Sequence, residues 1–206
     1  IFYNQGQICS APSRLIIHES IKKDFLPLLI GVSKKFVPGD PFDIETKVGS
    51  VVDRAQYDRV HSYINMAQEQ PYDIHRIGNI DGLNNNGLFI LPEIIDGVGQ
   101  DDPLAQEEIF GPILVVIDYK EISEAISAAN NSRYGLAASV WTDDLNEALS
   151  VSKRLEAGIV HINSYGDDDN SVPFGGVKQS GIGKDKSLHA FDEYSELKST
   201  VIAFKE

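Results

Sequence analysis

Cys9 is the one cysteine of a 206-residue chain, and it follows a run of amides broken by a glycine, Asn4-Gln5-Gly6-Gln7-Ile8-Cys9. A thiolate attacks a carbonyl carbon well and also leaves well, which suits two-step covalent chemistry. The glycine-containing turn just ahead of Cys9 predicts that the thiol is presented at a helix N-terminus. There the backbone N–H groups and the helix dipole would lower its pKa and hold an oxyanion formed on attack. A blander reading competes, because a lone cysteine is more often a small buried hydrophobe. The polar asparagine and glutamine setting favours the nucleophile without deciding the matter.

The elements that must position such a group alternate between short apolar strands and amphipathic helices, the pattern of an α/β fold. Residues 14–18 read as a strand. A helix is expected from about Ile21 to Phe36, with Phe25, Leu28, Leu29 and Val32 on its apolar face and Pro27 in its first turns, where proline is tolerated best. A second helix is expected over residues 53–68, its inner face formed by Tyr57, Val60 and Ile64. The polar stretch from Gln70 to Gly87, with Asn84-Asn85-Asn86, reads as a loop or hairpin tip. Residues 113–117 form a buried strand, and 121–130 a helix with Ile122, Ala125, Ile126 and Ala129 on one face. A strand over 136–142, a helix over 144–155 and a strand over 158–162 imply a parallel crossover. The sequon Asn130-Asn131-Ser132 reads as a helix C-terminus. At the end, a helix around Ser187 to Tyr194 precedes a β-prone strand from Leu197 to Phe204.

Composition bounds the function. Lys and Arg number 18 against 31 Asp and Glu, a formal net charge of −13. Such a surface repels phosphate backbones and anionic membranes, so neither nucleic acid nor membrane is expected as a partner. No apolar run nears the roughly 20 residues that span a bilayer, and no basic-then-apolar leader opens the chain. One cysteine excludes a disulfide framework and a cysteine-based metal site within one chain, so no metal is expected and a cytoplasmic setting is the default. The one methionine is Met66, and Ile1-Phe2-Tyr3 reads as the middle of a strand. The chain is therefore expected to begin inside something longer.

Four segments together resemble one family. Asn4-Gln5-Gly6-Gln7-x-Cys9 followed by Arg14 is similar to the cysteine signature of the aldehyde dehydrogenases. Glu107-Glu108-Ile109-Phe110-Gly111-Pro112, Asn131-x-x-Tyr134-Gly135-Leu136-Ala137 and Pro173-Phe174-Gly175-Gly176-x-Lys178-x-Ser180-Gly181 match further motifs in the same order. The resemblance implies an open, mostly parallel twisted sheet flanked by helices, with a catalytic domain over 1–185. It also implies a C-terminal helix and oligomerisation strand over 186–206, through which two or four copies assemble. It implies Cys9 as the nucleophile that adds to an aldehyde, and NAD or NADP, with NAD favoured, as the hydride acceptor. Glu108 matches the carboxylate on the nicotinamide ribose, a bidentate role suited to an acid, and Phe110 the aromatic beside the nicotinamide. Gln56 and Arg59 fall on the helix that meets the cofactor's adenosine end. Tyr3, Tyr165, Asp168 and Phe174 fall on the substrate tunnel, and Gly175-Gly176 serve close packing.

The substrate is hinted at twice. Asp167-Asp168-Asp169 in the tunnel loop would favour a cationic end, although a solvated acidic loop is the alternative. The tail from Lys178 to Ala190, with Ser195-Glu196-Leu197-Lys198, resembles the gamma-glutamyl-gamma-aminobutyraldehyde dehydrogenases of putrescine breakdown, with betaine aldehyde and other omega-aminoaldehydes as runners-up. The family's cofactor domain, general-base glutamate and oxyanion asparagine lie ahead of the cysteine, outside this sequence, so the isolated chain is expected to be inactive. Two other classes stay open: a cysteine hydrolase with His161 or His189 as base, and a non-catalytic interaction module that pairs through Leu197 to Phe204.

Overall fold

Residues 113–117 are aliphatic without a break, and in the computed structural model, which describes residues 1–83, 87–166 and 169–205, all five are buried. Ile113, Val115 and Ile117 face one hydrophobic cluster while Leu114 and Val116 face another. A strand covered on both faces reads as a continuous apolar run, which is why this segment is legible.

The chain divides into two units, Ile1–Ser132 and Arg133–Glu206. The first contains, in order, β1 (Arg14–His18), α1 (Glu19–Ser33), α2 (Arg54–Gln68), β2 (Asp73–Arg76), β3 (Glu93–Asp96), α3 (Pro103–Gln106), β4 (Ile113–Tyr119) and α4 (Ile122–Asn130). The sheet order is β1-β4-β3-β2, parallel at β1–β4 and β4–β3 and antiparallel at β3–β2. Asp53 caps α2 by accepting the Gln56 N–H at 2.8 Å, a contribution of about 1 kcal/mol. Val60, Tyr63, Ile64 and Ala67 then bury the inner face of α2, and each large aliphatic among them adds roughly 1.5–3 kcal/mol. Glu121 and Glu124 close a capping box at the start of α4, which ends at Asn130 with Asn131 as its C-cap, as the sequence predicts.

Several local expectations need correction. The His18 ring nitrogen accepts the Ser20 N–H, so α1 starts at Glu19 and Pro27 lies in the helix interior. There the ring removes one ladder bond, and burial of Leu26 with packing of Leu29 and Ile30 compensates. Phe25, Leu28 and Val32 consequently face outward. The helix α4 buries Ile126 and Ala128, whereas Ile122 points out. Asp73-Ile74-His75-Arg76 forms strand β2 although one residue in four is aliphatic, because pairing with β3 supplies its order. The Asn84–Asn86 part of the expected loop lies outside the described residues. Tyr3 opens a 310 turn rather than continuing a strand.

The second unit contains β5 (Tyr134–Gly135), β6 (Ala137–Val140), α5 (Leu145–Arg154), β7 (Ile159–Ile162), β8 (Val177–Lys178) and α6 (Ala190–Glu193). The β6-α5-β7 crossover is parallel, as its sequence implies, and β5 pairs antiparallel with β8. Asp144 caps α5 through the N–H groups of Asn146 and Glu147. A Cβ on Gly158 would lie 1.7 Å from the Gly175 oxygen, so the Pro-Phe-Gly-Gly turn is held by backbone contact. The expected terminal helix shrinks to Ala190–Glu193, and Leu197 to Phe204 forms no strand. Leu197, Val201 and Phe204 are exposed. A strand needs a neighbour for its N–H and C=O groups, and among the described residues this segment has none.

Candidate active site

The segment before Cys9 is folded by its own amides. Asn4, Gln5 and Gly6 have φ of 51°, 57° and 71°, three successive residues in the left-handed region. For a residue with a side chain that conformation costs roughly 1–2 kcal/mol. Asn4 Nδ2 donates to the Gln7 oxygen at 3.1 Å, and Gln7 Nε2 returns to the Asn4 oxygen at 3.3 Å. Gln5, almost fully buried, donates from Nε2 to the Gly49 oxygen at 2.7 Å, and Gln7 Oε1 accepts the Val52 N–H at 2.9 Å. Cys9 is free and exposed. It sits in a single turn closed by the Ala11 N–H on the Ile8 oxygen, and the next regular element is a strand. The expected helix N-terminus is therefore absent, and the thiol gains no helix dipole. The blander expectation of burial fails as well.

Two motifs meet at glycines. A Cβ on Gly6 would lie 2.2 Å from the Gly111 oxygen, and one on Gly111 would lie 2.5 Å from Val60 Cγ2. This close stack joins the loop that carries Cys9 to the end of the Glu108–Gly111 segment and, through Val60, that segment to α2. Gln56 Nε2 donates to the Ile109 and Phe110 oxygens at 3.1 and 2.7 Å, and Arg59 Nη2 to the Glu108 oxygen at 2.7 Å. Phe110 is itself left-handed, at φ 59°. Its backbone is thus clamped while its ring stays half-buried, and the exposed Glu108 carboxylate has no bonding partner among the described residues. Such an acid can accept two vicinal hydroxyls.

Three further supports lie outside the residues singled out for the site. Tyr72 donates its hydroxyl to Asp102 Oδ2 at 2.5 Å, and this bond pushes the Tyr72 pKa up to about 12. Asp102 also caps α3 through the Leu104 N–H, which fixes the segment leading into Glu107-Glu108. Arg14, part of the cysteine signature, donates from Nη1 and Nη2 to the Ala128 and Ala129 oxygens at 2.9 and 2.8 Å, closing the C-terminal end of α4. Burial holds its guanidinium pKa below the usual arginine range. Spacing gives no sign of the Tyr72 contact, whereas the acid ahead of Pro103 is a visible cap signal.

The remaining candidates are placed separately. Tyr3 is exposed on the 310 turn. Tyr165 and Phe174 belong to the second unit, Tyr165 stacked near His161 at 5.4 Å and Phe174 bridged to Asp185 through both backbone N–H groups. Asp168, with Asp167, lies outside the described residues. His161 and His189 also belong to the second unit, His189 exposed beside Asp192. Among the described residues no group of His, Cys, Asp and Glu could hold a metal ion, and no helix is long and apolar enough to cross a membrane.

The mixed sheet and the cysteine loop locked against a Glu-x-Phe-Gly clamp define a family. The profile described as "Aldehyde dehydrogenase family" matches residues 1–200, and the chain belongs to that family. It is 45% identical over 206 residues to the NADP/NAD-dependent aldehyde dehydrogenase PuuC of Escherichia coli (strain K12), covering 100% of this chain and 41% of the relative. It is 41% identical over 199 residues to an aminoacetaldehyde dehydrogenase of Pseudomonas aeruginosa, covering 96% and 39%. The crystal structure of the aldehyde dehydrogenase KauB from Pseudomonas aeruginosa superposes with a TM-score of 0.92 at 47% identity, covering 97% of this chain and 40% of that one. The chain thus spans about two fifths of the length of these relatives.

Proposed function

We propose that this chain is the nucleophile-bearing part of an NAD(P)-dependent aldehyde dehydrogenase. The observation that carries the reading is the exposed, free Cys9, set on a left-handed loop that is locked through Gly6 against the clamped Glu108–Phe110 segment. Cys9 Sγ adds to the aldehyde carbon, and the carbonyl oxygen takes the negative charge. The carbon then gives up a hydride, and water cleaves the thioester left on Sγ to release a carboxylate and the thiol. A nicotinamide dinucleotide, when bound, supplies the acceptor for that hydride. The exposed Glu108 carboxylate would accept its ribose hydroxyls, and Phe110 would be the aromatic that packs beside it. Gln56 and Arg59 hold the backbone of both, through the Ile109, Phe110 and Glu108 oxygens. By the family resemblance, Tyr3, Tyr165, Asp168 and Phe174 are the candidates for contact with the aldehyde.

The substrate is an aminoaldehyde such as gamma-glutamyl-gamma-aminobutyraldehyde. The tail motif supports this, as does the likeness to a relative named for aminoacetaldehyde. The enzyme works in the cytoplasm, where a free thiol stays reduced, as a dimer or tetramer joined through residues 197–204. Their exposed apolar side chains support that pairing. The test is steady-state NADH formation by the full-length protein, by its Cys9→Ser variant and by the 206-residue chain alone. Turnover is expected only in the first. Turnover by the isolated chain, or undiminished turnover by Cys9→Ser, overturns the reading.

A further inference from the structure

Gln106 is the last residue of α3 and stands just ahead of Glu107-Glu108. Its side chain is half-buried, and its amide nitrogen donates to two carbonyls of other segments, the Gln100 and Asn131 oxygens, each at 2.6 Å. An amide nitrogen carries two N–H groups, so both are spent. Asn131 is the C-cap of α4, and its Nδ2 donates to Asp101 Oδ1 at 2.7 Å. The last turn of α4 also accepts the Arg14 guanidinium, on the Ala128 and Ala129 oxygens. The end of one helix thus anchors both the strand that follows the Cys9 loop and the residue that leads into Glu108.

Helix α3 does not need this amide for its own fold. Asp102 caps it through the Leu104 N–H, the Ala105 and Gln106 N–H groups bond to the Asp102 oxygen at 2.9 and 3.0 Å, and Leu104 and Ala105 are buried. What the amide adds is a fixed place for the end of α3. The chain turns extended at Glu107, with φ −93° and ψ 146°. On the far side of that step, Arg59 holds the Glu108 oxygen and Gln56 the next two. Gln106 is the matching anchor on the near side.

We propose that Gln106 is a positioning residue for the nicotinamide cofactor: by tying the end of α3 to the C-cap of α4, it sets where the Glu108 carboxylate meets the nicotinamide ribose. This rests on the reading that Glu108 accepts those hydroxyls. Hydrogen bonds to a carboxylate are strong but weaken steeply once their angles are lost. Gln106 acts through Glu108 and touches no cofactor itself. Its loss therefore affects the nicotinamide half of the dinucleotide and spares the adenosine half.

The experiment titrates the full-length enzyme by calorimetry with NAD and with adenosine diphosphate, which lacks the nicotinamide ribose. Gln106→Met, which keeps the length and loses both donors, is expected to raise the Kd for NAD by about tenfold and to leave that for adenosine diphosphate unchanged. Gln106→Lys, whose ammonium can again donate to both carbonyls, should restore most of the loss. Gln106→Asn, too short to reach both, should show the same split in smaller measure and carries the comparison if Gln106→Met does not fold. Glu108→Gln should also weaken NAD, and adding Gln106→Met to it should weaken NAD no further, because the two act as one unit. Equal losses on both ligands, additive losses in the double variant, or no loss of NAD affinity would overturn the proposal, while a loss in Glu108→Gln keeps the reading of Glu108. Unchanged NAD affinity in Glu108→Gln takes both down together.

Discussion

Gly6 and Gly111 face each other so closely that a methyl group on Gly6 would stand 2.2 Å from the Gly111 carbonyl oxygen. The cysteine loop and the Glu-Glu-Ile-Phe-Gly-Pro segment, about a hundred residues apart in sequence, are therefore one structural piece. Gly6 also holds φ 71°. Gly6→Ala meets both penalties, and we expect it to destabilise the protein by at least ~2 kcal/mol. Urea unfolding followed by fluorescence checks this, and a midpoint equal to wild type would deny the close contact.

The Gln56 amide grips the Phe110 backbone, not its ring. Gln56→Ala should loosen the segment and raise the KM for the nicotinamide cofactor in the full-length enzyme by roughly tenfold. That corresponds to losing two neutral hydrogen bonds of about 1 kcal/mol each, with some compensation by water. The KM for aldehyde should change less. Equal changes in both would place Gln56 elsewhere in the chemistry.

Tyr72→Phe removes the bond to Asp102 that steadies α3. The expected loss is about 1.5 kcal/mol at pH 8, measured by denaturant unfolding. Its pH dependence has a definite sign. The folded-state pKa is raised to about 12, so the stabilisation is fully present below the ordinary tyrosine pKa near 10 and disappears as pH rises through about 12. The gap between wild type and variant should close over that interval. A gap that persists unchanged past it would show that the hydroxyl proton is not involved.

Arg14 closes α4 with two separate N–H donors on two adjacent carbonyls. Lysine offers a single point of charge and cannot span both in the planar fork geometry. Arg14→Lys should therefore cost about 1–2 kcal/mol of stability, and Arg14→Met more, with the loss of amide-exchange protection concentrated in Ile122–Asn130. Uniform loss across the chain would contradict the local role.

What could be read from the sequence was what local chemistry fixes. The five unbroken aliphatics at 113–117 need two covered faces, and Asp53 and Asp144 announce the starts of α2 and α5, so these elements are visible in one dimension. β2 was not, because Ile74 is its one aliphatic residue and its order comes from β3. The same holds for the site. Cys9, Glu108 and Phe110 stand out by type and spacing. That Gln5, Gln7, Gln56 and Arg59 spend their side chains on backbone groups 44 to 54 residues away cannot be seen before the chain is folded. The tail from Leu197 to Phe204 shows the converse: strong β propensity gives no strand when no partner for it stands among the described residues.

The most direct test of the central claim is to trap the covalent intermediate. The full-length enzyme is mixed with aldehyde and NAD, quenched in acid within one turnover, digested and weighed by mass spectrometry. An acyl group on the peptide that contains Cys9, absent without NAD and absent in Cys9→Ala, is the predicted result. Acylation of another residue, or rapid turnover by Cys9→Ala with no adduct at all, would contradict it.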